Sequence, residues 1–321
     1  MMADFDVFNG DADGICALVQ LRQIEPRDSK LITGVKRDIQ LLSQVQAKEG
    51  DRITVLDVSM AKNHGDLVRV LKEGAMVFYV DHHVAGEVPA SSSLISLLNE
   101  SPNVSTSLLI NQYLRSARLE WGAVGTFGDN LHHAAQGMLK GKGFTGEQVG
   151  LLNQLGVYMN YNGYGSDLSD LHFAPIELYN LVCEYKNPLD FIRDSHQHFE
   201  RLETGYNQDF SAVHSLTPLR ANKSCAIFIL PDYPWARRVS GVFSNDLTNK
   251  HPDRAHAVLT EKSNGGYLVS VRAPLASKHG ASKLCSQFPT GGGREAAAGI
   301  NDLPADQLNQ FIDKFEQTYQ S

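Results

Sequence analysis

Phe5-Asp6-Val7-Phe8-Asn9-Gly10-Asp11-Ala12-Asp13-Gly14-Ile15-Cys16-Ala17-Leu18-Val19-Gln20-Leu21 reads as a strand, a tight turn and a helix. Phe5–Phe8 is a short strand-like run, and Ile15–Leu21 is apolar enough for a buried helix. The glycines permit a sharp turn between them, and that turn carries Asp11 and Asp13. The pattern recurs downstream. Ile53-Thr54-Val55-Leu56 is a second apolar strand closed by a carboxylate, Asp57, and Ala75–Val80 is a third, followed by Asp81-His82-His83. Strand and helix patterns alternate from residue 3 to about residue 130, which predicts an α/β fold with a parallel sheet and helices on both faces. Further strands are expected at 31–35 and 93–98, and helices at 62–73 and 105–118. Ser105 is placed to cap the helix that follows it. That helix N-terminus could also meet a phosphate, capping being the simpler role.

In open parallel sheets, ligand sites form outside the carboxyl ends of the strands. Asp11, Asp13, Asp57 and His82 are expected to converge there, joined by Asp129 from Gly125-Thr126-Phe127-Gly128-Asp129. Any one of these acids would be explained as a cap or turn residue; the set in this order is not. Four carboxylates in contact would repel, and some would have to protonate at neutral pH. Divalent cations remove that conflict. Oxygen-rich ligands with one or two imidazoles suit Mn²⁺ or Mg²⁺ better than tetrahedral zinc. No Cys-x-x-Cys pair is present, which argues against a structural zinc site. Two ions about 3.5–4 Å apart can activate water for in-line attack on phosphorus.

Asn9-x-Asp11-x-Asp13-Gly14, Leu56-Asp57, Asp81-His82-His83 and Gly128-Asp129 resemble, in order, the four motifs of the DHH phosphoesterases. Gly291-Gly292-Gly293-Arg294-Glu295-Ala296-Ala297-Ala298-Gly299 resembles the glycine-rich motif of the companion DHHA1 domain. The resemblance spans nearly the whole chain. It implies cleavage of phosphoester or phosphoanhydride bonds with two divalent ions, manganese first and magnesium as the alternative. By position it implies that Asp11 binds one ion and Asp13 the other, and that Asp57 bridges them. His82 and Asp129 complete the second site, His83 contacts the scissile phosphate and Asp81 orients the histidines from behind. Arg272, at the end of the strand-like Leu268–Val271, matches an arginine that such domains use near the substrate phosphate. Two positions depart from the family. Asn9 stands where an extra His or Asp ligand is usual, and an amide oxygen is a neutral, weaker ligand. Arg294 stands where His is usual, and its planar fork suits a phosphate or the O6/N7 edge of guanine.

The rest of the chain fits a cytoplasmic enzyme of two domains. Its 321 residues, 42% of them hydrophobic, suffice for two cores. Nothing reads as a signal peptide or a membrane span, and Cys16, Cys183, Cys225 and Cys285 read as buried free thiols in a reducing compartment. A catalytic DHH domain is expected over 1–190, a linker helix over 191–214 and a smaller α/β DHHA1 domain over 215–321. The second domain should hold strands at 225–230, 255–260 and 266–272, helices at 235–248 and 305–319, and a hairpin turn at Asn264-Gly265-Gly266. Gly291, Gly292, Gly293 and Arg294 are expected to bind substrate, the glycine amides forming a cradle.

Net charge is −7, and residues 1–190 carry 15 Lys and Arg against 23 Asp and Glu. No basic track suits a long polynucleotide, which needs many phosphate contacts. A short nucleotide is expected instead: a 5′-phosphorylated diribonucleotide such as pGpG, the breakdown product of cyclic di-GMP, hydrolysed to mononucleotides as nanoRNase-type relatives do. Alternatives are a cyclic-dinucleotide phosphodiesterase, a 3′-phosphoadenosine-phosphate phosphatase and a non-catalytic nucleotide sensor. A homodimer is compatible with the sequence.

Overall fold

Short β-rich apolar runs separated by longer amphipathic segments leave each strand to pair with one that lies a helix away, in parallel. The computed structural model, which describes residues 2–320, shows that arrangement. Strands β1 (Asp4–Phe8), β2 (Ser29–Ile32), β3 (Arg52–Leu56), β4 (Met76–Asp81) and β5 (Leu94–Leu98) form one sheet in the order β2-β1-β3-β4-β5. Every pairing in it is parallel. The order reverses direction between β1 and β3, so a crevice opens at their carboxyl ends.

Alternate residues of the strands face opposite sides. Phe5 and Val7, Ile53 and Val55, and Val77 and Tyr79 form one buried cluster with Leu67 and Val70 of helix α2 (Met60–Lys72), which follows α1 (Ala12–Ile24). Full burial of each such side chain contributes roughly 1.5–3 kcal/mol. On the other face, Arg22 of α1 forks onto Asp6 of β1 at 2.7 and 2.6 Å and reaches Thr54 of β3 at 2.8 Å. Both charges are buried, so the pair ties α1 to the sheet by mutual need.

Beyond β5 the chain is helical: α3 (Thr106–Tyr113), α4 (Leu119–Gly128), α5 (His132–Leu139), α6 (Gly146–Gly163), α7 (Pro175–Cys183), α8 (Pro188–Asp194) and α9 (His196–His214). The helix expected over 105–118 stops at Tyr113 because Arg115 and Ser116 take left-handed backbone angles, and α4 starts afresh at Leu119. The strand expected at 31–35 lies earlier, at Ser29–Ile32. The stretch expected as one linker helix from 191 is two helices that meet at Ser195.

The chain divides between Thr204 and Gly205, within α9, into two compact units. The second unit holds β6 (Arg220–Ala221), β7 (Cys225–Leu230), α10 (Pro234–Lys250), β8 (Ala255–Glu261), β9 (Tyr267–Arg272), α11 (Ala281–Cys285), β10 (Gly291–Gly293), β11 (Ala297–Leu303) and α12 (Leu308–Tyr319). Its mixed sheet runs β10-β11-β9-β8-β7-β6, with β7 and β8 parallel and β8 and β9 a hairpin. Ile227, Leu259, Val271 and Ile300 pack there against Leu284 of α11 and Phe311 and Phe315 of α12. No described helix is long and apolar enough to cross a membrane, and the four cysteines are free.

Candidate metal centre

The first motif is an N-terminal cap with its oxygens spent locally. Asp11 caps α1, and its Oδ1 accepts the amides of Asp13 at 3.0 Å and Gly14 at 3.1 Å. A cap of this kind stabilises a helix by about 1 kcal/mol. Its Oδ2 is ion-paired with Lys36, from the loop after β2. Asn9 closes the turn: its Oδ1 accepts the Asp11 amide at 3.2 Å, and its Nδ2 donates to the Lys36 carbonyl at 3.1 Å.

Asp13 points the other way, toward the start of α3. The Thr106 and Ser107 amides each donate to it at 2.8 Å, while Ser105 caps the same helix through the Leu108 amide. The helix N-terminus therefore grips a carboxylate of the protein, and those amides are not open to a phosphate. Asp57 ends β3 with φ of 58°, a left-handed conformation that costs a non-glycine residue energy and that Asp tolerates better than most. Its amide bonds the Val80 carbonyl at 3.0 Å, and its Oδ1 accepts from Thr106 Oγ1 at 3.1 Å. Strained backbone held in this way is a mark of functional positions.

His82 is 1% exposed. Its Nδ1 lies 2.6 Å from the Val104 carbonyl. A carbonyl only accepts, so Nδ1 carries the proton and Nε2 keeps a lone pair. That Nε2 lies 3.3 Å from Asp57 Oδ1 and 3.8 Å from Asp13 Oδ2. His83 bonds through Nδ1 to Asp81 Oδ1 at 2.7 Å and is about a third exposed. Asp81 thus orients one histidine of the pair, and the Val104 carbonyl orients the other. Asp81 Oδ2 is buried without a hydrogen-bond partner.

Asp129 follows the C-terminus of α4. Gly128 sets how close it comes: a Cβ there would lie 2.4 Å from the Ala12 Cβ and 2.9 Å from the Gly156 carbonyl, so only glycine lets α4 press between α1 and α6. Asp129 Oδ2 then lies 3.8 Å from His82 Nδ1. Two groups of side chains each bring ligand atoms within 4.8 Å of one another: Asp57, His82 and His83, and Asp13, His82 and Asp129.

The electrostatics follow from this crowding. Burial, and then the neighbouring Asp57, push the Asp13 carboxyl well above the usual range. Burial and then Asp11 do the same to Asp57. Burial would raise Asp11 too, but the Lys36 ammonium overcomes it and holds Asp11 low. Burial would lower Lys36, and Asp11 overcomes that in turn, so the ammonium stays charged. Asp13 and Asp57 are thus buried acids with only the imidazoles of His82 and His83 to oppose their raised values, whereas Asp11 has an ammonium. Carboxylates beside an imidazole lone pair are a donor set that fits a hard divalent ion.

In the second unit Arg272 closes β9, and its Nε donates to Asn245 Oδ1 at 2.8 Å. Gly291–Gly293 is an edge strand paired with β11, with Gly292 opposite Gly299 and Gly293 opposite Ala298. A Cβ on Gly291 would lie 1.8 Å from the Cys285 carbonyl, so packing against α11 demands that glycine. Arg294 follows directly and bonds its amide to the Ala297 carbonyl at 2.9 Å. Ala297 pairs with Arg272, so the two arginines lie at the same end of the sheet.

Lys36 and Asn160 are site residues that sequence reasoning passed over, and the helix start at Ser105, read as a cap, was not expected to hold Asp13 through the Thr106 and Ser107 amides. Lys36 Nζ donates to Asn160 Oδ1 at 2.9 Å and sits 5.3 Å over the Tyr164 ring. A signal for Lys36 existed: it follows β2, the neighbour of β1, at the same carboxyl-end edge of the sheet. Asn160 and Tyr164 belong to an Asn- and Tyr-rich stretch whose composition suits an ordinary helix end equally well.

Several solved structures share this fold. An exonuclease RecJ bound to manganese matches with a TM-score of 0.61 at 14% identity, covering 98% of this chain and 89% of that one. RecJ of Thermus thermophilus in complex with Mn²⁺ matches at 0.58 and 15%, covering 98% of this chain and 51% of that one. A pGpG-specific phosphodiesterase, PggH of Vibrio cholerae, matches at 0.53 and 14%, covering 98% of each chain. No protein-family model matches the sequence, and no curated protein matches it.

Proposed function

We propose that this chain, which has the RecJ-type fold of the DHH phosphoesterases, is a divalent-metal-dependent phosphodiesterase acting on short nucleotides. The observation that carries the reading is the convergence of Asp13, Asp57, His82 and Asp129 at the carboxyl ends of β1, β3 and β4 and the end of α4. These residues would hold the ion, with manganese favoured over magnesium by the mixed carboxylate and imidazole donors. Such an ion polarises phosphoryl oxygens and lowers the pKa of bound water.

The chain's own groups supply the rest. The Val104 carbonyl fixes His82 in the tautomer that offers Nε2 as a ligand. Asp81 holds His83 by Nδ1 and leaves its other nitrogen to contact the scissile phosphate. Arg272 and Arg294, in the second unit, are proposed to bind the nucleotide.

The substrate proposed is a 5′-phosphorylated diribonucleotide, pGpG first. The acidic first unit favours a small anion held by a few groups over a long strand. An arginine at 294 can pair with the O6/N7 edge of guanine, and a fold neighbour is a pGpG-specific phosphodiesterase. The test is a panel of pGpG, pApA, cyclic di-GMP and 3′-phosphoadenosine phosphate incubated with purified protein and Mn²⁺. Conversion of pGpG to GMP is expected; a panel left intact would refute the proposal.

A further inference from the structure

We propose that the Lys36 ammonium stands in place of a second metal ion, so that the cluster binds one divalent ion per chain. The inference rests on the metal-dependent reading above and changes its stoichiometry from the two ions expected from sequence.

Three observations carry it. First, both oxygens of Asp11 are already engaged. One accepts two backbone amides at the start of α1, and the other is ion-paired with Lys36. Second, Lys36 is built into this place. Its amide donates to the Gly163 carbonyl at 2.8 Å, and its carbonyl accepts from Asn9 Nδ2 at 3.1 Å. Its ammonium also bonds Asn160 Oδ1 at 2.9 Å, over the Tyr164 ring. Asn9, the residue that would have to help Asp11 hold an ion, is itself a clamp on the lysine. Third, both groups of clustered ligands contain His82, and neither contains Asp11. With Nδ1 committed to the Val104 carbonyl, His82 offers one nitrogen and hence serves one ion. A second dication at Asp11 would have to displace an ammonium that carboxylate, amide and aromatic ring all favour.

The test is metal stoichiometry. Chelator-stripped wild-type protein is titrated with MnCl₂, bound metal is counted by mass spectrometry, and the Mn²⁺ electron paramagnetic resonance spectrum is recorded. One Mn²⁺ per chain with the spectrum of an isolated ion is expected. Two per chain with an exchange-coupled spectrum would overturn this inference and leave the metal-dependent reading intact. No bound Mn²⁺ would overturn that reading, and this inference with it. The paired substitution Asn9→Asp with Lys36→Met should then bring a second ion and exchange coupling. A variant that melts like wild type yet still binds one ion would show that the lysine is not what keeps the second ion out.

Discussion

Replacing Asp57 by Asn separates the cost of the carboxylate cluster from its use. Asparagine keeps the shape, tolerates the left-handed backbone at φ 58°, and can still accept the Thr106 hydroxyl. What it removes is a buried charge that neighbouring carboxylates oppose. Without metal, the variant should therefore melt no lower than wild type. With Mn²⁺ at about 100 times its dissociation constant, the wild type should gain about 2.7 kcal/mol from binding to the folded state alone. For a unit of about 200 residues, each kcal/mol moves the melting temperature by roughly 2–4 °C, so the gain is roughly 5–11 °C. Losing a direct ligand should weaken binding at least as much as the roughly 10–100-fold seen for outer-shell changes. After about 100-fold weakening, the same Mn²⁺ concentration is close to the dissociation constant and contributes only about 0.4 kcal/mol, or about 1–2 °C. Differential scanning calorimetry of chelator-stripped protein, with and without MnCl₂, reads all four states. The reasoning fails if Mn²⁺ leaves wild type unmoved, or if it raises the variant as far as wild type.

Three further expectations rest on the same geometry. Asp13 and Asp57 have folded-state values above their ordinary 3.8, so without metal their contribution to stability is full below about pH 4 and is lost as pH rises through the raised values. Protons and Mn²⁺ compete for them, so the Mn²⁺-induced rise in melting temperature should grow from pH 5 to pH 8; a rise that shrinks over that range would contradict the assignment. Arg22→Met strips the fork from buried Asp6, and urea unfolding should show a loss of about 3–5 kcal/mol; a loss under 1 kcal/mol would mean that the pair does not tie α1 to the sheet. Arg294→Ala should raise KM for pGpG or relax the preference for guanine while metal content stays unchanged; unaltered kinetics on every dinucleotide would remove this arginine from substrate binding.

How legible the molecule was from its sequence depends on what kind of neighbour each residue has. Asp13, Asp57 and His82 stand at the ends of apolar strands, so the rule for parallel sheets placed them at one edge, and the β2-β1-β3 order put the turn at Asp11 beside Asp57. Lys36 was legible by its position, just after β2 at the same edge of the sheet, but not by its residue type. A lysine in a loop reads as solvated surface, and its partners Asp11 and Asn160 come from α1 and α6, far apart in the chain. Gly291–Gly293 read as a cradle of backbone amides, and that the run also pairs with β11 as a strand was not legible, because glycine disfavours strands. The split of 105–118 turned on left-handed angles at Arg115 and Ser116, which no periodicity reports. Ser105 was legible as a cap, but that the helix it starts would hold Asp13 depends on the packing of α3 against α1.

The most direct measurement is turnover of pGpG by chelator-stripped protein before and after Mn²⁺ is restored. The account predicts no GMP before addition, GMP after it, and none from the Asp57→Asn variant under either condition. Hydrolysis that proceeds equally without metal, or GMP production by Asp57→Asn at the wild-type rate, would contradict it.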